Sequence, residues 1–112
     1  MDLSKLQRDI YAWQRKNFGI QPPHRALLGV VEEVGELSHA HLKMEQGIRG
    51  TTDELALLRA DAVGDILIYL SNYCSSVGLV MVDCLNDSWE EVSKRDWKKY
   101  PETGIAPKNH NT

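Results

Sequence analysis

The sequence predicts an all-α protein, arranged as a four-helix bundle. Residues that break helices are scarce before position 100 and fall in three places: Pro22 and Pro23, the stretch 47–53, and Gly78. Between those breaks, apolar residues recur at helical rather than alternating spacing. The connections are short, as antiparallel neighbours in a bundle require.

The first helix is predicted over Leu3–Phe18. Leu3, Leu6, Ile10, Trp13 and Phe18 form its apolar stripe, Asp2 or Ser4 can cap it, and Gly19 closes it. The stretch 19–23 then reads as an extended connection, because the residue before a proline avoids the helical region. A second helix runs from His24 to about Gln46 and stops at Gly47. Thr51 and Glu54 have capping-box spacing, so a third helix starts near Thr52 and continues to about Ser76. Gly78 marks the turn into a fourth, expected over Val80–Lys99 and stopped by Pro101. Residues 1–100 thus form one helical domain. Residues 101–112 lack apolar periodicity and read as a flexible tail.

A chain of 112 residues supports one core. A domain this small leaves much of its surface uncovered, so partner chains are expected. Net charge is −3. No broad basic face is available for nucleic acid or for an anionic membrane, and neither is expected as a partner. Cys74 and Cys84 stand ten apart without a second pair, so no zinc spacing is present. Two thiols in a reducing compartment fit that count best. The N-terminal stretch has no apolar h-region and no run approaches the ~18 residues of a membrane span, so a cytoplasmic location is expected.

The informative feature is where the acids sit. Glu32, Glu33 and Glu36 lie inside the apolar segment LLGVVEEVGEL. At about 100° per residue, Glu36 falls about 40° from Glu32 and Glu33 about 100° from it, so the three share one face. Gly29 and Ala40 project between them, and Lys43 lies on the same face about two turns beyond Glu36. The third helix repeats the pattern in DAVGDILIYL, where Asp61 and Asp65 are one turn apart and Asp65 shares a stripe with Leu58, Ala62 and Tyr69. Antiparallel packing of these helices sets the two clusters face to face. Carboxylates crowded in a low-dielectric groove repel, and protons or cations must relieve them. An oxygen-only ligand set suits Mg²⁺ or Mn²⁺, and magnesium shares its shell readily with phosphate oxygens. Any one of these acids taken alone reads more simply as part of a solvated face.

Glu33-x-x-Glu36 in VVEEVGEL, followed by Asp65 in VGDILIYL, resembles the MazG-like all-α nucleoside triphosphate pyrophosphohydrolases. That family carries an E-x-x-E pair on one helix and an E-x-x-D pair on a later one. The resemblance covers about residues 24–100. It implies cleavage of a (d)NTP to the monophosphate and pyrophosphate, with Glu33, Glu36 and Asp65 as metal ligands. Glu32 matches an extra acid common before the pair and would complete the metal site or position the attacking water. The second motif departs from the pattern: residue 62, where its first acid belongs, is Ala, and Asp61 is the neighbouring substitute. The resemblance further places Tyr69, Asn86, Lys94 and Arg95 toward the phosphates or sugar, and implies a homodimer or homotetramer. A cation so held neutralises phosphate charge and lowers the pKa of a coordinated water. A spare carboxylate, Glu32 or Asp61, would take its proton. Lys43 would steady the leaving pyrophosphate. Trp13 is a candidate for stacking on the base, with core packing as its alternative.

Two other readings stay open. Glu36 and His39 have the E-x-x-H spacing of di-iron or di-manganese bundles, which use that motif twice, and the third helix has no histidine. Ala62 favours a non-catalytic helical oligomerisation or regulatory module.

Overall fold

The computed structural model describes residues 1–108. They form four helices and no strand: α1 Leu3–Phe18, α2 Pro23–Gln46, α3 Thr52–Ser76 and α4 Met81–Val92. The chain divides into two compact units, Met1–Met81 and Val82–Thr112. No single helix among the described residues is long and apolar enough to cross a membrane.

Local chemistry explains the boundaries of the first three helices. The Asp2 carboxylate accepts a hydrogen bond from the Lys5 backbone N–H at 3.0 Å and caps α1. Pro23 opens α2, where its missing N–H costs nothing. Gly47 closes α2 in the left-handed conformation, at φ 68° and ψ 31°, which glycine adopts without a Cβ penalty. At the start of α3 the capping box is complete: Glu54 N–H donates to Thr51 Oγ1 at 3.1 Å, and Thr51 N–H donates back to Glu54 Oε2 at 3.4 Å.

In the first unit, α2 and α3 share the most extensive contact and α1 packs on α3. The buried apolar residues are Ala40, Leu55, Ala62 and Cys74, all but Leu55 small. The buried residue of α1 is Gln7, whereas Leu6, Trp13 and Phe18 of the expected apolar stripe are exposed. Gln7 works as a latch. Its Nε2 donates to Ser75 Oγ at 3.0 Å and to the Leu79 carbonyl at 2.9 Å, and its Oε1 accepts from the Met81 N–H at 2.8 Å. One amide therefore ties α1 to the end of α3 and to the turn that follows.

The second unit corrects the expected length of the last helix. α4 ends at Val92, not Lys99. The Asp96 carboxylate accepts from the N–H groups of Lys98 and Lys99, at 3.2 and 3.0 Å, and so starts a new turn where a continuous helix was expected. Asp96 N–H donates to the Gly104 carbonyl at 2.7 Å, and Gly104 N–H to the Tyr100 carbonyl at 2.8 Å. The stretch expected to be a loose tail from 101 onward thus starts inside a hydrogen-bonded turn. Its last four residues, 109–112, lie outside the described residues.

Candidate functional site

Helices α2 and α3 run antiparallel, with Gly29 against Tyr69 and Glu33 across from Asp65. Their small residues permit a close approach. A Cβ at position 29 would collide with the Tyr69 ring, so glycine lets that ring lie on the bare backbone of α2. Ala40 and Ala62 are buried in the same layer.

This packing draws the acids together around Glu33. Ligand oxygens of Glu32, Glu33 and Glu36 all lie within 4.8 Å of one another. Glu33 is only 8% exposed, and its Oε2 is buried with no hydrogen-bond partner. Its carboxyl pKa is raised above the ordinary 4.5, first by burial, then by the charges of Glu36 and Asp65, with a carboxyl hydrogen bond to Glu36 and the charge of Glu32 adding to it. A buried carboxylate oxygen without a donor is costly, and three further acids close by make it more so. The donor set is entirely carboxylate oxygen, which fits a hard divalent cation.

Glu33 and Asp65 lie in the wall of an open cleft of about 610 Å³. Around it stand Trp13 and Phe18 from α1, Arg25 from α2, and Tyr69 and Asn72 from α3. Trp13 is 55% exposed and meets Phe18 edge to face, with ring centroids 5.8 Å apart. Gln21 fixes the mouth: its Nε2 donates to the Phe18 carbonyl and its Oε1 accepts from Arg25 Nη1. The cleft therefore offers aromatic surface and a guanidinium beside an acidic wall. Glu32, Glu36 and His39 line a smaller depression of about 350 Å³ on the other side of the cluster.

Several expected residues are not gathered here. Asp61 is exposed and belongs neither to the carboxylate cluster nor to the cleft. Ala62, where the second motif would hold an acid, is 3% exposed. Lys43 Nζ donates to the Gln46 side chain at 2.8 Å and lines neither depression. Asn86, Lys94 and Arg95 belong to the second unit, where Lys94 lies 3.6 Å from Glu90 and Arg95 3.7 Å from Glu91. His39 does not join the carboxylate cluster among the described residues. Asn72, not among the expected site residues, and Phe18, expected only in the apolar stripe of α1, also line the cleft. The signal for Asn72 was present: 65, 69 and 72 share one helical stripe, and a polar residue there stands out in DILIYLSNY.

No protein-family model, curated protein or solved structure matches the chain.

Proposed function

We propose that the first unit is a divalent-cation-dependent nucleoside triphosphate pyrophosphohydrolase, releasing pyrophosphate and a nucleoside monophosphate as part of nucleotide-pool housekeeping. One observation carries this reading. Glu33 is a buried carboxylate with an orphaned oxygen, ringed by three acids, at the edge of an aromatic cleft. A structural carboxylate would be paired with a base or with N–H donors. A carboxylate built to meet a cation is left unpaired until the cation arrives.

Glu33, Glu36 and Asp65 would hold Mg²⁺, or Mn²⁺, with Glu32 beside them. The cation's contribution is to neutralise charge on the phosphate oxygens. The rest is the work of side chains. Glu32 is exposed and close to Glu33, which suits it to accept a proton from an attacking water. Arg25, held by Gln21, is placed at the mouth to meet phosphate oxygens. Trp13, Phe18 and Tyr69 supply faces for a base and keep bulk water from one side of it.

A homodimer or homotetramer belongs to the same proposal. Val31 on α2 and Leu57 on α3 are 63% and 67% exposed, and Leu27, Leu28 and Val34 are exposed beside Val31. An apolar surface of that kind is covered in a stable soluble protein, and a second copy of the chain is the cover always at hand.

Incubation with Mg²⁺ and a panel of ribo- and deoxynucleoside triphosphates, with pyrophosphate as readout, tests the activity. Glu36→Gln should lower turnover by roughly 100-fold while the far-UV helical signal persists. Full turnover in that variant would refute the proposed site. Buried Ala62 favours the alternative of a cation-binding module without turnover. Tight Mg²⁺ binding with no pyrophosphate from any nucleotide would establish that alternative.

A further inference from the structure

The buried residues of α2, Glu33 and Ala40, stand one heptad apart and mark the side that packs on α3. The opposite side carries a second stripe. Leu28, Val31, Gly35, Ser38 and Leu42 recur there at alternating steps of three and four, the spacing of a seam between two helices. Leu28, Val31 and Leu42 are 62%, 63% and 47% exposed, and Gly35 and Ser38 are exposed between them. α2 is therefore built to pack on two sides, and its own chain leaves one of them open.

Gly35 marks the middle of the open side. Gly29 has its reason within the chain, the Tyr69 ring, whereas a Cβ at Gly35 would meet nothing within 4 Å. A glycine inside a helix costs roughly 1 kcal/mol against alanine. Bare backbone at Gly35, with the small Ser38 one turn on, lets a second helix come close, because the side chains at the contact set the distance between axes.

The two flanks of the stripe identify that helix. One flank, Arg25, Glu32, His39 and Gln46, is polar throughout; the other begins with Leu27 and Val34. A two-fold axis between Gly35 and Ser38 relates two antiparallel copies of α2 and lays each flank on its own kind. Gly35 then meets Ser38, Val31 meets Leu42, Glu32 stands beside the partner's His39, and Arg25 beside the partner's Gln46. A parallel pair would instead press Glu32 and His39 against Leu27 and Val34, desolvating them without return. We propose that α2 pairs antiparallel with α2 of a second copy, crossing at Gly35 and Ser38. Gly35 also lines the smaller depression with Glu32, Glu36 and His39, so the crossing helix covers it and the partner's His39 donates to Glu32. The pairing is independent of the hydrolase reading; the value of the partner's His39 to the site rests on it.

Engineered disulfides test both register and direction, in a Cys84→Ser background that removes the exposed native thiol. Val31→Cys/Leu42→Cys should give a covalent dimer on mild oxidation. Either substitution alone should not, since like positions of the two copies would lie roughly 16 Å apart, beyond disulfide reach. Ready cross-linking of both single variants would mean a parallel pair and overturn the proposal. Glu32→Cys/His39→Cys should also cross-link between copies, and failure there would remove the partner's His39 from the site. In sedimentation, Val31→Lys should raise the dimer dissociation constant at least ~10-fold with the far-UV helical signal kept, while Leu57→Lys, at an exposed position of α3, should leave the dimer intact. A monomeric wild type, or a dimer lost in Leu57→Lys and kept in Val31→Lys, would overturn the pairing. The expected cross-links in a protein that releases pyrophosphate from no nucleotide would sustain the pairing and refute the hydrolase reading.

Discussion

Two regions of the first unit bury polar side chains, and they treat them in opposite ways. At one end of α1, Gln7 makes a bond with every group it can offer: two from its nitrogen and one to its oxygen. Along the α2–α3 seam, Glu33 and Asn72 each keep an oxygen with no partner. Desolvation penalises both regions, but only the first is compensated within the chain. The first fastens the fold. The second stores a demand that a cation can meet at Glu33.

Substitutions that separate stability from activity are the strongest way to break this contrast. Asp65→Asn should lower pyrophosphate release by roughly 100-fold and leave the melting temperature of the cation-free protein unchanged or higher. Gln7→Leu should do the reverse. It strands the Leu79 carbonyl and the Met81 N–H and should cost about 2–3 kcal/mol in denaturant unfolding, with turnover per folded molecule preserved. If Gln7→Leu left stability untouched, the latch would have no energetic content.

A smaller effect concerns the charge on Glu33. Its folded-state pKa is raised, so the folded protein holds that proton more tightly than the unfolded chain does. The associated stability is fully present below the ordinary carboxylate value and is lost as pH rises through the raised one. Glu33→Gln should therefore melt at a higher temperature than wild type at neutral pH without divalent cations, with the gap closing toward acid. Excess Mg²⁺ should stabilise wild type alone and narrow the gap from the other side. Scanning calorimetry across pH, with and without Mg²⁺, checks both limbs. The smallest effect is expected at Ser71, fully buried and unpartnered yet outside the cleft. Ser71→Ala should lie within about 1 kcal/mol of wild type, on the stabilising side, in denaturant unfolding.

The parts of the fold legible in the sequence were those set by local chemistry. The capping box at Thr51 and Glu54 fixed the start of α3, and Gly47 the end of α2, because both are satisfied by neighbours in the chain. α4 was read too long because Lys94 to Lys99 suits a helix by propensity, whereas the Asp96 carboxylate satisfies backbone N–H groups locally and begins a separate turn. In the site, helical geometry grouped Glu32, Glu33 and Glu36 correctly. It failed for Lys43, whose long side chain turns to Gln46, and for Asp61, which is exposed and stands outside both the cluster and the cleft. Trp13 and Phe18 fall in the expected apolar stripe of α1 yet are exposed, because periodicity reports which residues share a side, not whether another helix covers it. Asn72 was missed because an unmet hydrogen bond exists only once the surroundings have closed around it.

The contact between Tyr69 and the bare backbone at Gly29 has a consequence for what the groove admits. The ring rests where a methyl group would have to be, so its depth is set from behind by the absence of a side chain. Any residue larger than glycine at 29 would displace the ring, which also lines the cleft. The width of the cleft at Tyr69 is thus set by an atom that is missing, on a residue that does not itself line it.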